Sequence, residues 1–265
     1  MDRRRRIAPQ RGQRPPGPRV DLDDVIYGIH AVNEALVAGE PLRRIHVGDE
    51  RKSDPALRNL LERARSAEVQ VRFENRTFFG NFPYKAHQSV VAYGAPFDYI
   101  TLEEAIALPR PGPALFVLLD HVTDPHNVGA IIRTTEAAGG TALILPERRS
   151  AGVNATVRKA AAGATAHLPI ARVANISQAI RTLKKAGIWV AGAALGEGTV
   201  PLNEVDFARD LAIVIGAEGE GIAPLVGREC DYRVSIPMAG KTQSLNASVA
   251  AAILLYEAVR QRRSA

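Results

Sequence analysis

A single cysteine, Cys230, among 265 residues excludes a disulfide framework and any multi-thiolate metal centre. No run of 18 consecutive apolar residues is present, which excludes a membrane-spanning helix. The chain also lacks a Gly-x-Ser-x-Gly nucleophile elbow, a zinc-ligand signature and a Gly-Lys-Ser/Thr phosphate loop. His121 and His126 are five residues apart, off the i, i+4 spacing of a helical zinc pair, so no metal is expected. Acidic residues are nearly missing from the first 19 positions, where seven arginines (Arg3, Arg4, Arg5, Arg6, Arg11, Arg14 and Arg19) face Asp2 alone. That stretch has no apolar region for a secretory signal, and its prolines and glycines spoil an amphipathic presequence. A cytoplasmic location is expected.

What is present is ordinary globular material, 46% hydrophobic and 23% charged, at a length that suits two modest domains. The net charge of +6 belongs wholly to the arginine-rich start, because the remaining 246 residues balance 27 basic against 27 acidic side chains. Residues 1–22 therefore read as a disordered basic tail. One reading is an arm that grips phosphates without sequence choice; the plainer one is a solubilising extension.

Residues 23–97 read as a compact α/β unit. A short helix is expected over Tyr27–Val37 and a strand over Arg44–Val47. Asp54 caps a second helix, whose apolar face is Leu57, Leu60, Leu61 and Ala64. Strands at Val69–Phe73 and Ser89–Tyr93 flank a turn or short helix. Residues 98–113, closing on Pro109, Pro111, Gly112 and Pro113, read as a linker. From residue 114 the pattern alternates. Apolar strands are expected at Phe116–Leu119, Ala142–Leu145, Ile188–Ala194, Leu211–Ile215 and Val234–Ile236. Helices are expected at Asn127–Ala138, Asn154–Ala162, around Ile176–Leu183, and from Asn246 to Arg262. Continuous apolar strands between helices predict a parallel sheet covered on both faces.

Ligands of such sheets bind beyond the carboxyl ends of the strands, and three of those ends are unusual. The first runs from Asp120 through Asp124-Pro125-His126-Asn127 into a helix, with Asn127 read as its cap. Arg133 in that helix either reaches a phosphate or carboxylate through its fork or pairs with Glu136 at the surface. The second is Gly216-Ala217-Glu218-Gly219-Glu220-Gly221. Its glycine spacing is wrong for a dinucleotide fingerprint and its carboxylates would repel a pyrophosphate, so an uncharged or cationic ligand suits it better; a plain tight turn is the alternative. The third is Ile236-Pro237-Met238 followed by Ser244-Leu245-Asn246-Ala247-Ser248, where Ser244, Asn246 and Ser248 compete to cap the last helix.

Taken together, the three segments resemble the motifs of the SpoU (TrmH) family of RNA ribose 2′-O-methyltransferases, in the SPOUT superfamily. The likeness extends to Tyr27-Gly28-Ile29-His30-Ala31-Val32 and His87-Gln88-Ser89-Val90, which are similar to the ribosomal-protein-like, RNA-binding domain of the RlmB-like subgroup. The resemblance implies an α/β fold in which this small domain precedes a SPOUT methyltransferase domain, residues 114–265, with a parallel sheet and a deep trefoil knot. It implies S-adenosylmethionine as cofactor, a homodimer, and 23S ribosomal RNA as partner, a guanosine being methylated on its ribose 2′-hydroxyl. Alternatives are a tRNA or another ribosomal site, a catalytically silent RNA-binding or assembly factor, and a nicotinamide oxidoreductase, which the glycine spacing disfavours.

Mapped by motif, the resemblance implies catalytic roles for Arg133, Asn127, Glu218, Ser244 and Asn246. It implies cofactor contacts from Gly216, Glu218, Gly219, Gly221, Ile236, Met238 and Leu245, with Glu218 near the positive sulfonium. RNA contacts are expected from His30, His87 and the tail residues Arg3, Arg4, Arg5, Arg6 and Arg11. Because a guanidinium stays protonated, Arg133 is expected to fix the neighbouring phosphate and stabilise a developing alkoxide rather than act as a base.

Overall fold

The computed structural model describes residues 25–264 apart from 38, 81, 83–86, 95–96 and 243. The expected tail, Arg3, Arg4, Arg5, Arg6 and Arg11 included, lies outside the described residues.

The first unit carries strands β1 (Val25–Tyr27), β2 (Leu42–Gly48), β3 (Gln70–Glu74) and β4 (Val90–Gly94), in the sheet order β1-β4-β2-β3. Tyr27 belongs to β1 rather than to the following helix, because Val25–Tyr27 pair antiparallel with β4. Helices α1 (Ile29–Val37) and α2 (Arg58–Ser66) cover one face, setting Val32, Ala35, Leu60 and Ala64 on Ile45, Val47, Val90 and Ala92. The Asp54 side chain accepts the Ala56 N–H, and Pro55 opens a 3-10 turn that runs into α2. A short helix α3 (Arg76–Phe79), capped by Asn75, brings Phe79 and Phe82 onto Val91 on the other face.

Residues 98–113 are not a free linker. Thr101 and Glu104 form a reciprocal capping box that starts α4 (Leu102–Ala107), and Leu102 and Ala105 are buried against the second unit. Ile100 forms a parallel bridge with Ala171. The part without helix or strand shrinks to residues 108–114.

The second unit has seven strands among the described residues: β5 (Leu115–Asp120), β6 (Ala142–Pro146), β7 (Ile170–Val173), β8 (Trp189–Ala193), β9 (Val200–Pro201), β10 (Leu211–Gly216) and β11 (Tyr232–Ser235). Their order is β7-β6-β5-β10-β8-β11-β9, and every pairing is parallel. Both faces are covered, so every residue of β5 and β10 is buried. On one face lie α5 (Pro125–Ala137), α6 (Ala155–Ala161) and α9 (Ala247–Ser264); on the other lie α4, α7 (Ile176–Lys185) and α8 (Pro224–Glu229). Each fully buried Leu, Ile, Val or Phe contributes about 1.5–3 kcal/mol against the entropy of ordering the chain. Residues β7, β9 and α8 were too short to announce themselves by periodicity.

The start of α5 corrects the expected cap. Asp124, not Asn127, accepts a helical N–H, from His126 at 2.9 Å, and Pro125 takes the first helical position. Asn127 is thereby moved inside the helix, where its side chain is free for another task.

Candidate active site

The carboxyl ends of β8, β10 and β11, with the segment leading into α9, enclose a cavity of about 730 Å³. Gly216 ends β10 at its floor. A Cβ there would collide with the backbone of Gly221 and Ile222, so only glycine lets the loop fold back this closely. Ala217 and Gly221 exchange backbone hydrogen bonds at 2.9 and 3.1 Å, closing the loop into a tight turn with Gly219 and Gly221 at positive φ. Gly216, Gly219, Gly221, Ile236, Met238, Ser244 and Leu245 all line the cavity. Ile236 lies just past β11, which frees it for this wall.

Glu218 does not line it. The glutamate on the wall is Glu220, two residues on. The Glu218 carboxylate instead accepts hydrogen bonds at Oε1 from two amides, Asn127 Nδ2 at 2.8 Å and Asn246 Nδ2. Asn246 Nδ2 also donates to Asn127 Oδ1 at 3.0 Å. Three loops far apart in the chain are thus tied at one point, because a carboxylate can only accept and each amide can do both. Asn246 wins the competition for the last helix: its Oδ1 accepts the Ser248 N–H at 2.9 Å and the Ser248 hydroxyl at 2.6 Å.

Arg133 is placed differently. Six residues after Asn127, it points roughly 120° around α5 from it, so the amide cannot orient the guanidinium. Its side chain is exposed and has no hydrogen bond or ion pair among the described residues, Glu136 included. Cys230 is held inside: its thiol donates to the Val226 carbonyl at 3.3 Å, and burial, helped by the Asp231 charge, pushes it up to about 12. Of the two expected RNA-contacting histidines, His30 is exposed on α1. His87 Nδ1 accepts the Ser89 N–H at 2.9 Å, which leaves only its Nε2 for another partner.

One group went unassigned in the sequence. Asp120, at the end of β5 and 2% exposed, accepts the Ala223 N–H at 2.7 Å, and its other oxygen lies 2.6 Å from His121 Nδ1. The signal was an acid closing an otherwise apolar strand. Among the described residues no cluster of three or more His, Cys, Asp or Glu side chains could hold a metal ion.

A parallel-sheet domain whose carboxyl edge gathers three loops around one cavity, joined to a separate amino-terminal α/β unit, has the architecture of the two-domain RNA methyltransferases. Residues 114–256 match the SpoU rRNA Methylase family, and residues 25–100 match the domain described as RNA 2′-O ribose methyltransferase substrate binding. The chain belongs to the SpoU rRNA methylase family. It is similar to a tRNA/rRNA methyltransferase of Synechocystis sp., 43% identical over 242 residues that cover 90% of this chain and 63% of that one. It therefore spans less than two thirds of that relative's length. A TrmH-family tRNA/rRNA methyltransferase of Staphylococcus saprophyticus is 39% identical over 240 residues, 90% of this chain and 96% of the other. The crystal structure of the SpoU methyltransferase AviRb from Streptomyces viridochromogenes, in complex with the cofactor AdoMet, is similar with a TM-score of 0.60 at 29% identity. It covers 94% of this chain and 96% of that one.

Proposed function

We propose that this chain transfers a methyl group from S-adenosylmethionine to the ribose 2′-hydroxyl of a guanosine in 23S ribosomal RNA. The observation that carries the reading is the Asn127–Glu218–Asn246 junction, which ties two walls of the cavity, the loop after β10 and the segment before α9, to the start of α5. The cavity fits the cofactor. Its volume of about 730 Å³ is in the range of about 300–1,000 Å³ usual for such ligands. Its walls offer backbone groups and apolar side chains at Gly216, Ile236 and Leu245, and its charged residues, Glu220 with Arg228 and Arg233, suit a ligand that carries both a cationic sulfur and a carboxylate. When bound, S-adenosylmethionine supplies an electrophilic methyl group on a positively charged sulfur.

The chain's own part is mostly positioning. Gly216, Gly219, Gly221, Ile236, Met238 and Leu245 hold the donor, and Ser244 faces it from the wall. Asn127, Glu218 and Asn246 keep the loops in register. Arg133 clamps the phosphate next to the reacting ribose and stabilises negative charge as it develops on oxygen. Because that guanidinium is exposed and has no partner among the described residues, it is free to serve a pocket completed by a second subunit. The homodimer reading draws support from Val249 and Tyr256, 46% and 54% exposed and two turns apart on one side of α9, which packs on α5. A knotted path is supported by the segment between β11 and α9, which helps enclose the cavity beside the loop after β10.

The amino-terminal unit, which matches a substrate-binding domain of RNA 2′-O ribose methyltransferases, is the part of the chain that selects the RNA, taken here as ribosomal. His30, the free nitrogen of His87 and the arginines of the tail are its proposed RNA contacts, in a cytoplasmic setting. Mapping ribose methylations in ribosomal RNA with and without the gene tests the assignment. The expected result is one 2′-O-methylguanosine missing from 23S ribosomal RNA; a site lost from tRNA, or none, refutes it.

A further inference from the structure

S-adenosylmethionine is charged at two places, a cationic sulfur and an amino-acid end that carries a carboxylate, and a cavity that holds it must satisfy both. Three charged side chains line this one: Glu220, Arg228 and Arg233. A carboxylate drawn out of bulk water needs N–H donors or a cation, and a guanidinium supplies both through its fork. Two arginines are present, and their surroundings set them apart. We propose that Arg228 binds the carboxylate of the methyl donor, while Arg233 holds the loop that forms the neighbouring wall. Arg228 is then the residue by which the chain tells the intact donor from one without a carboxylate.

Arg233, on β11, is already engaged. Its Nη2 donates to the carbonyls of Glu197 and Gly198 at 3.0 and 3.1 Å. Those residues follow Leu195, itself on the cavity wall, and the chain turns there through Gly196 and Gly198, both at positive φ. A Cβ on Gly198 would lie 2.3 Å from Arg233 Nη2, so the bare glycine makes the seat in which the guanidinium rests.

Arg228 has no such tie. On α8 it stands one turn after Pro224 and next to Gly227, and all three line the cavity, whereas Val226 turns the other way into the core. Helix geometry thus delivers the side chain to the cavity. It is exposed and has no hydrogen bond or ion pair among the described residues. The acids near it in the chain hold other partners, Glu229 with Arg181 at 2.8 Å and Asp231 with Lys184 at 2.7 Å. Glu220 forms no ion pair with it either. A cation and a carboxylate on one cavity, neither neutralised by the other, give that cavity two poles. The carboxylate of a bound donor is attracted by Arg228 and repelled by Glu220, and the cationic groups of the donor feel the reverse.

This inference rests on the cavity being the donor site, and the experiment separates the two. Calorimetry on the full chain measures the Kd of S-adenosylmethionine and of its decarboxylated form, which lacks only the carboxylate. Gly216→Ala, which deforms the cavity floor, is measured first. If it weakens neither ligand, the donor binds elsewhere and the cavity reading fails. With the cavity established, Arg228→Met removes the charge and keeps most of the stem. S-adenosylmethionine should then bind about tenfold more weakly, the low end for a charged hydrogen bond because Arg228 is exposed. The decarboxylated form should bind as before or more tightly, having lost only a like charge. Glu220 acts on both ligands in both proteins, so comparison across the variant cancels its effect. Arg228→Lys, which keeps the charge without the fork, should recover part of the loss. Arg233→Met should weaken both ligands by a similar factor, through the loop it holds. The inference is overturned if Arg228→Met weakens both ligands alike or leaves both unchanged, or if selectivity is lost with Arg233 instead.

Discussion

Glu218→Ala removes the acceptor on which the three loops meet. Asn127 is 6% exposed, and its Nδ2 has no partner other than Glu218 among the described residues. With the carboxylate gone, a buried N–H is left unmade, at a cost of about 1–3 kcal/mol. Asn246 is exposed, so water replaces most of what its amide loses. The net effect is a destabilisation of about 2 kcal/mol, which lowers the melting midpoint of a domain this size by roughly 4–8 °C. Glu220→Ala is the control, as that side chain has no hydrogen bond among the described residues. Asn246→Ser is a second control: it retains an oxygen to cap α9 but drops the amide donor, and should cost less than 1 kcal/mol. A double-mutant cycle between Glu218→Ala and Asn127→Ala should show a coupling of about 1–2 kcal/mol. The reasoning fails if Glu218→Ala melts where Glu220→Ala does, or if the cycle is additive.

Gly216→Ala drives a Cβ into the backbone of Gly221 and Ile222, so it should cost about 1–3 kcal/mol and weaken S-adenosylmethionine at least tenfold by calorimetry; unchanged affinity would clear Gly216 of any role in shaping the cavity. Arg133→Ala should abolish methyl transfer with the cofactor Kd within a few-fold of wild type, and a fully active variant removes the residue from the mechanism. Deleting residues 1–19 should weaken RNA binding and flatten its salt dependence, seven arginines being lost; an unchanged slope makes the tail a bystander. Burial holds His46 below the ordinary imidazole value, with Glu74 opposing this only in part. The folded state therefore resists protonating it: the contribution to stability is complete above about pH 6.5 and drains as pH falls towards the lowered value. Melts from pH 7 to pH 5 should lose less stability in His46→Phe than in wild type, and parallel slopes contradict the assignment.

The parallel sheet was legible because β5 and β10 are buried on both sides and carry unbroken apolar runs, and α7 because Ile176, Ile180 and Leu183 keep helical spacing. Other elements gave weaker signals. The six residues of α8 and the two of β9 are too few to carry a period. The helix within residues 98–113 did have a signature, the Thr101-Leu102-Glu103-Glu104 capping box, but the prolines just after it dominate the local composition. At the start of α5 two Asx residues compete three positions apart. Pro125 decides between them, since it has no N–H to offer and so fits the first helical position, which makes Asp124 the cap.

The same competition for partners explains why the site was only half readable. Glu218 and Glu220 share one short loop, and any argument from charge pattern treats them alike. What separates them is the reciprocal pairing of Ala217 with Gly221, which turns the loop so that Glu220 faces the cavity while Glu218 meets Asn127 and Asn246. Those partners are 91 and 28 residues away in the chain, beyond any local spacing rule. Two identical side chains thus take different work from their surroundings, one fastening the loops and one facing the ligand. Asp120 extends the point. On sequence it is merely the polar end of an apolar strand; in the fold it is the buried acid that joins the wall of the cavity to a histidine ring open to solvent.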